Sequence, residues 1–319
     1  MQEVYSELFK IFSKLNQVNN LTNLNSFREK INKIWKPLEG SHSKIKVTAV
    51  DGGKYSLSLR NCYIFIADAC SVIYDGIEEK VIGSACGGIL IPGIKGKKIS
   101  SLIMQILELE EAKKAEGFAL MDGSISTFMS KNELRDLDEE VFESGMNSKS
   151  FIQVTDILEN KKDEKFILNY LLGYKYKLLK EIIDKDIIWI SKNSRRKHMF
   201  KGMISDLAII EVLKRERGYV EPLKRRIETI IGEKEIMDSI VKLESTGVPL
   251  RVEFISNNVS KFFKDLMLFL SSCSLRGYPY PLLRAHAEAH IERRKLNKIF
   301  ESLGVMSENL PSFWPKQLS

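Results

Sequence analysis

Two short apolar runs that each end in Asp-Gly constrain the fold of this chain most. The run VTAVDGG places Asp51 at its end, and the run FALMDGS places Asp122 at its end. After the first run, β-rich runs separated by turn residues continue to Ile91, which predicts an antiparallel meander. A stretch with helical spacing from Lys98 to Lys114 then precedes the second run. This pattern predicts an α/β fold, in which strand ends present functional side chains.

The rest of the chain predicts helices around two more strands. An apolar stripe near the N-terminus (Val4, Leu8, Ile11, Leu15) predicts a helix whose face covers its own core or serves self-association or docking. No internal repeat or Ser/Gly linker divides the chain, so we predict a helical extension over residues 1–40 and one domain over 41–319. The further predicted elements are a helix over 26–35, a surface elaboration over 131–149, a helix over 162–183, a strand over 187–191, a helix over 204–217, a basic helical stretch to 244, a strand over 249–255 and two helices flanking GYPYP.

The positive charge of the chain is concentrated in one segment. There are 49 basic and 42 acidic residues, a net charge of +7, and the segment Lys192 to Arg226 alone holds eleven basic against four acidic residues. Such a segment either binds a polyanion such as nucleic acid or is a solvated surface. No apolar run approaches the length of a membrane span, and the N-terminus lacks the pattern of a secretory signal. We therefore expect an intracellular, cytoplasmic protein without a membrane partner.

Acidic residues at the strand ends predict a metal site. Asp51 and Asp122 each follow an apolar strand, and the helix between the strands carries Glu108 and Glu111 on one face. Strand Asp, meander, helix Glu and strand Asp is the order in which a ribonuclease H-like core gathers carboxylates around divalent ions. Hard oxygen ligands suit Mn²⁺ or Mg²⁺, and paired ions hold the attacking and leaving oxygens of a phosphodiester.

Four sequence blocks in this order resemble the NurA family of archaeal and bacterial nucleases. The blocks are AVDGG, MDGS, ISKNSRR with a following Asp206, and YPYPLLRAH, and the resemblance spans about Ala49 to Ile291. It implies a ribonuclease H-like mixed sheet flanked by helices, with helical N-terminal and middle additions. It also implies a Mn²⁺-dependent nuclease with single-strand endonuclease and 5′ to 3′ exonuclease activity. The implied setting is DNA end resection and double-strand break repair, as a nucleoid-associated homodimer with the hexameric ATPase HerA.

The resemblance also implies site residues, carried over position by position. Asp51, Asp122 and one helix glutamate would hold the metal ions; Glu108 fits the spacing better than Glu111. His286 matches the histidine of the last block, and either Tyr278 or Tyr280 matches its tyrosine. Lys192 and Ser194 would contact phosphate, because they follow the 187–191 strand, and Arg195, Arg196 and Lys197 would add DNA-binding charge. The catalytic set is therefore Asp51, Glu108, Asp122, His286, Tyr278, Tyr280 and Lys192.

Other chemistries find no support in the sequence. GIKGKKIS lacks the first glycine of a phosphate-binding loop, and no G-x-S-x-G occurs. In the metalloprotease motif H-E-x-x-H the catalytic glutamate directly follows the first histidine. In HAEAH, Glu288 is two residues after His286, which puts it on the far side of the helix. The remaining rival is a catalytically silent DNA-binding or scaffold subunit. Intact acids at both strand ends favour the nuclease.

Overall fold

The architecture is given by a computed structural model that describes residues 25–59, 62–130, 137–160 and 163–302. The apolar stripe predicted near the N-terminus lies outside these residues. Within them, no helix is both long and apolar enough to cross a bilayer. The helices are α1 (Asn25–Ile34), α2 (Gly96–Lys113), α3 (Ile125–Phe128), α4 (Glu139–Met146), α5 (Phe151–Asn160), α6 (Glu164–Ile182), α7 (Asp206–Leu213), α8 (Asn257–Ser272), α9 (Tyr280–Glu288) and α10 (Arg293–Ser302).

A ten-stranded mixed sheet organises the chain, with a separate two-stranded ribbon, β11–β12. The strands are β1 (Trp35–Pro37), β2 (Val47–Ser58), β3 (Tyr63–Tyr74), β4 (Glu79–Leu90), β5 (Phe118–Asp122), β6 (Ile187–Ser191), β7 (Gly218–Val220), β8 (Leu223–Thr229), β9 (Gly232–Lys242), β10 (Leu250–Phe254), β11 (Ser274–Leu275) and β12 (Tyr278–Pro279). The strand order is β1-β7-β9-β10-β6-β5-β2-β3-β4, and β8 pairs with β9.

Half of this sheet has the connectivity that the sequence predicts. β2, β3 and β4 form an antiparallel meander, and β5 pairs parallel to β2 after the helix α2. β6 then adds parallel to β5. The resulting order β4-β3-β2-β5-β6 places the first strand of the meander at the centre, so the predicted ribonuclease H-like mixed α/β fold is confirmed. The domain boundary near residue 40 stays a prediction.

Helices cover both faces of the sheet, and the strands alternate between two cores. On one face α2 and α6 pack with Met121 and Trp189. On the other face α8 and α9 pack with Leu120 and Ile190. Successive residues of β5 and β6 therefore enter opposite cores, which explains why both strands are almost continuously apolar in sequence. Helices α4, α5 and α6 lie between β5 and β6 in the chain and form the predicted middle addition.

The predicted helical stretch up to residue 244 is wrong. Residues 218–242 form β7, β8 and β9, and the helix before them ends at Leu213. The basic residues of β8 are mostly exposed, and this density of charge hides the strand alternation. Ile236 and Ile240 of β9 are fully buried, four residues apart, a spacing that strands and helices share. Gly232, with φ of +96°, makes the turn that a helix could not contain.

Candidate functional site

Three potential metal ligands meet where β2 and β5 run side by side. β2 pairs in parallel with β5 so that Val50 lies opposite Met121. The next residue of each strand is an aspartate, and helix α9 brings His286 over them. One ligand atom from each of Asp51, Asp122 and His286 lies within 4.8 Å of the others. His286 is more than 160 positions from either aspartate in the sequence. It joins them because α9 packs over the place where β2 and β5 are paired.

Asp51 interacts with both other members of this cluster. Its Oδ2 atom lies 2.6 Å from Nδ1 of His286, the distance of a hydrogen bond donated by a protonated Nδ1. Its Oδ1 accepts from the backbone N–H of Gly52 at 2.9 Å. Burial raises the pKa of Asp51, the hydrogen bond from His286 opposes that rise, and the neighbouring charge of Asp122 adds to it. The cluster thus disfavours a full complement of negative charge unless a cation is present.

Glu108 adds a second buried carboxylate directly above the strand. It projects from α2, is 4% exposed, and its Oε2 atom has no hydrogen-bond partner among the described residues. Burial, followed by the charges of Asp51 and Asp122, raises the pKa of Glu108 well above its usual value. Glu111 occupies a different place, because it accepts hydrogen bonds from Lys114 and Ser71. The geometry places Glu108 and not Glu111 beside the aspartates.

The two glycines after Asp51 make room for the site. A Cβ atom on Gly52 would lie 2.7 Å from the Oε1 atom of Glu108. A Cβ atom on Gly53 would lie 1.8 Å from the carbonyl oxygen of Ala289, which caps the end of α9. Neither position tolerates a side chain without displacing its neighbour. The two glycines of AVDGG therefore allow Glu108 to pack against β2 and allow the end of α9 to come close to the same strand.

A lysine and a tyrosine lie next to Asp122. Lys192 follows β6, and its Nζ atom lies 3.5 Å from Oδ2 of Asp122 and 4.8 Å from the centre of the Tyr278 ring. Tyr278 is buried, and its hydroxyl lacks a well-formed hydrogen bond among the described residues. Burial, with the nearby charge of Asp122, raises the pKa of Tyr278 far above its usual range. Tyr280 instead donates its hydroxyl to Glu79 at 2.8 Å.

The predicted DNA-binding residues have different surroundings in the loop after β6. Arg196 is paired with the fully buried Glu253 and also donates to the hydroxyls of Ser124 and Ser126. Lys197 donates to the backbone carbonyl of Met203. Arg195 is exposed and makes no ion pair within the part of the chain that the structure describes. Arg196 is therefore committed to a buried carboxylate, whereas Arg195 and Lys197 are exposed and make no ion pair among the described residues.

A buried ion-pair network holds the same loop in place. Arg251 of β10 is fully buried and donates to Asp206, Asp238 and Ser194 at 2.9–3.1 Å. Asp206 in turn accepts from the backbone N–H groups of Met199 and Phe200. Ser194 thus serves as an acceptor inside this network. The loop that carries Lys192 is fixed by charges that are themselves shielded from solvent.

Comparisons with known proteins identify the family of this chain. Residues 45–291 match the NurA domain. The chain belongs to the NurA domain family. It is 30% identical over 311 residues to a protein of Sulfolobus acidocaldarius named DNA double-strand break repair nuclease NurA, covering 90% of this chain and 89% of that protein. The resemblance drawn from the four sequence blocks is confirmed, and the family is one of nucleases, that is, hydrolases.

Solved NurA structures share the fold. The NurA nuclease from Sulfolobus solfataricus superimposes with a TM-score of 0.80 at 26% identity, covering 98% of this chain and 100% of that chain. A NurA structure bound to dAMP and manganese superimposes with a TM-score of 0.58 at 17% identity, covering 97% of this chain and 98% of that chain. At that identity the second likeness concerns the fold alone.

The residues present fit a divalent metal ion. Carboxylate oxygens and one imidazole nitrogen are ligands for Mn²⁺ or Mg²⁺. The unpartnered buried oxygen of Glu108 and the raised pKa values of Asp51 and Glu108 both indicate a cation-binding environment. The ligands would be Asp51, Asp122 and Glu108, with His286 beside them. The sequence predicts the three carboxylates, whereas the structure adds the contact of His286 with Asp51.

The sequence analysis assigned no role to several polar groups near the cluster. Asp68 on β3 lies opposite Gly53 in the β2–β3 pairing and accepts its backbone N–H at 3.0 Å. Lys54, His290 and Arg293 surround a cavity next to Gly53. The signal for Asp68 was available, because it is the one charged residue in the strand YIFIADACSVIY. The others are drawn together only by the end of α9.

Proposed function

We propose that this NurA domain protein is a metal-dependent DNA nuclease with single-strand endonuclease and 5′ to 3′ exonuclease activity. The supporting observation is the convergence of Asp51, Asp122 and His286 within 4.8 Å. Beside them lies Glu108, buried and with an unpartnered oxygen. Such a cluster repels a phosphodiester unless a cation neutralises it, so metal dependence follows from the site itself. Family membership supports DNA as the substrate and end resection in double-strand break repair as the setting.

Asp51, Glu108 and Asp122 would hold Mn²⁺, or alternatively Mg²⁺. A divalent cation held there supplies the positive charge that polarises a phosphate oxygen and acidifies a water molecule. Asp51 has a second role, because it accepts the Nδ1 proton of His286 and so fixes the ring. With Nδ1 engaged, Nε2 is the nitrogen available to the substrate, where it can exchange a proton with an oxygen of the phosphodiester.

Lys192 and Tyr278 would position the phosphate group. The ammonium of Lys192 lies against the Tyr278 ring and within 3.5 Å of Asp122, at the edge of the cluster. Because the pKa of Tyr278 is raised, its phenol stays protonated at neutral pH and can act as a hydrogen-bond donor. Tyr280 is bonded to Glu79 and stands outside this arrangement.

A cleavage assay with and without metal tests this function. Wild-type protein should cut a labelled single strand in Mn²⁺ or Mg²⁺ and be inactive in EDTA. Asp122→Asn should lower kcat about 100-fold or more, because it removes a ligand charge while keeping side-chain volume. Asp51→Asn should behave alike.

The control for that assay is Asp156→Asn, an exposed aspartate on α5, which should cut at the wild-type rate. Circular dichroism and oligonucleotide binding should show that the Asp122→Asn protein is folded and still binds DNA. Near wild-type cleavage by folded Asp122→Asn protein would contradict the metal assignment. If the wild-type protein fails to cut the strand both with and without metal, a DNA-binding or scaffold subunit would be favoured instead.

We also propose a HerA-type hexameric ATPase as partner and a homodimer as the working form. The sequence holds no phosphate-binding loop, yet resection needs duplex DNA to be opened and fed to the site. Strand β4 lies at the edge of the sheet and exposes Ile82 and Ile89, which supports pairing with a second copy. Action on chromosomal ends supports a cytoplasmic, nucleoid-associated location.

Two measurements test these assemblies. Mixing the chain with a HerA-type ATPase should give a complex in size-exclusion chromatography and ATP-dependent degradation of duplex DNA. Light scattering of the chain alone should give twice the monomer mass of 36.6 kDa. A mixture that neither associates nor degrades duplex faster than the nuclease alone would overturn the partnership.

A further inference from the structure

A polar cavity adjoins the carboxylate cluster. Of the residues that were assigned a role above, only His286 lines it. It has a volume of about 140 Å³ and lies between the Gly52–Lys54 part of β2 and the junction of α9 with α10. A cavity needs roughly 10–15 Å³ to hold one water molecule, so this one accommodates a larger polar group. Because His286 borders both the cavity and the cluster, a ligand in one is next to a ligand in the other.

Basic side chains line the cavity. Lys54, His290 and Arg293 line it together with His286. The ammonium of Lys54 is held in place by the hydroxyl of Ser101 on α2. Arg293 is exposed and makes no ion pair within the described residues, so its guanidinium retains its capacity to bind an oxyanion.

Three acidic groups among the described residues lie close to these side chains: Asp51 at His286, Glu292 near His290 but paired with Lys295, and Asp68. Asp68 is near enough to His290 for the two charges to interact, and it is engaged by the backbone N–H of Gly53. A second metal site is not supported, since the described residues contain one group of potential metal ligands, namely Asp51, Asp122 and His286. No Phe, Tyr or Trp side chain is among the described residues that line the cavity, so it lacks the large aromatic platform on which bases of a single strand usually stack. The lining therefore fits an anion better than a metal or a nucleobase.

We propose that this cavity binds a phosphate of the DNA strand next to the one that is cut. The proposal rests on the proposed nuclease function, which places the scissile phosphate at the carboxylate cluster. A strand that continues past His286 would bring its neighbouring phosphate to Lys54 and Arg293. The chemistry, a phosphate oxyanion, is the same for an internal phosphodiester and for a terminal 5′-phosphate. Its consequence is that cleavage at each bond depends on the charge of the adjacent linkage.

The test uses a single-stranded oligonucleotide in which one central phosphate is replaced by a neutral methylphosphonate. Product lengths identify each cut, so the register is read directly. Wild-type protein in Mn²⁺ should cut one bond next to the neutral linkage about tenfold less than the same bond in the unmodified strand. In the Lys54→Gln/Arg293→Gln protein this suppression should fall below about twofold, because the contact is already lost.

Arg294→Gln is the matched control, since Arg294 is the next residue of α10, is exposed and does not line the cavity. It should keep the wild-type suppression, and Arg293→Gln alone should show an intermediate value if the double variant fails to fold. Equal suppression in all these proteins, or none in the wild type, would overturn the subsite. Faster first cuts on 5′-phosphorylated than on 5′-hydroxyl strands, in wild type only, would assign the terminal phosphate. Equal rates assign the internal one.

Failure of the nuclease function is distinguishable from failure of the subsite. If wild-type protein cuts nothing, the proposed function fails, and the subsite is then judged by oligonucleotide binding in EDTA. There the Lys54→Gln/Arg293→Gln protein should bind several-fold more weakly than Arg294→Gln. Equal binding by the two proteins would overturn the subsite independently of cleavage.

Discussion

At the scale of single residues, the site is a set of carboxylates in an electrostatically unfavourable place. Asp51 and Glu108 are buried close to Asp122, and burial together with mutual repulsion raises the pKa of the first two. The sequence could predict the aspartates, because each ends an apolar strand. The resemblance favoured Glu108 over Glu111 by spacing, but both lie on one face of α2, and only the packing of Glu108 against Gly52 shows which one lies beside the aspartates.

We predict that Glu108→Gln stabilises the metal-free protein while abolishing cleavage. The folded protein holds the Glu108 proton more tightly than the unfolded chain does. The contribution of Glu108 to the free energy of unfolding is therefore highest at low pH and falls as the pH rises above about 4.5, the ordinary pKa of this group. Glutamine removes that loss, so in EDTA at pH 7 we expect a rise in Tm of about 2–4 °C. Thermal melts at pH 4.5 and pH 7 should show the rise only at pH 7.

The matched control is Glu111→Gln on the same helix. Glu111 accepts from Lys114 and Ser71, so loss of its charge should give no stabilisation. Mn²⁺ should raise the Tm of wild type and Glu111→Gln, because it binds the folded state, but raise that of Glu108→Gln much less. An unchanged Tm of Glu108→Gln at pH 7, together with a normal response to Mn²⁺, would show that Glu108 is not part of the metal site.

At the scale of elements, the site depends on the close approach of strand β2 and helix α9. The carbonyl of Ala289 at the end of α9 occupies the space above Gly53. That approach fixes His286, three residues earlier, over Asp51. The meander, α2, β5, α6 and β6 were predictable because period and turn residues agree there, whereas the region of α4 was predicted only as a surface elaboration. Such local signals do not reveal that helix α9 returns to strand β2.

We predict that Gly53→Ala lowers kcat about tenfold or more with little loss of strand structure. The added Cβ would lie 1.8 Å from the Ala289 carbonyl, so α9 must shift and His286 must move away from Asp51. Gly83→Ala is the control, because its nearest neighbour, the carbonyl oxygen of Ala69, would lie 3.4 Å away. Steady-state cleavage rates and circular dichroism check the prediction. Equal activity of the two folded variants would contradict it.

At the scale of the whole molecule, the positive charge is less available than the sequence suggests. The segment 192–226 carries eleven basic residues, but folding pairs Arg196 and Arg225 with Glu253. Lys224 likewise pairs with Glu235 on the neighbouring strand. The sequence gives the number of charges in the segment but not their ion pairs, because the acidic partners lie on strands β9 and β10, outside the segment. The surface left for DNA is therefore a subset of the segment.

This distinction predicts different effects for adjacent arginines. From sequence alone, removing Arg195, Arg196 and Lys197 together should lower the slope of log affinity against log salt by about 2–3. In the folded protein Arg195 is exposed and makes no ion pair among the described residues, so Arg195→Ala should lower the slope by about 0.7, the value for one single-strand phosphate contact. Arg196→Ala should leave the slope unchanged but cost about 1–3 kcal/mol of folding stability, because Glu253 loses a partner. Fluorescence anisotropy over a salt series, with urea unfolding of each variant, separates the two effects. A lower slope for folded Arg196→Ala would mean that this arginine exchanges Glu253 for DNA.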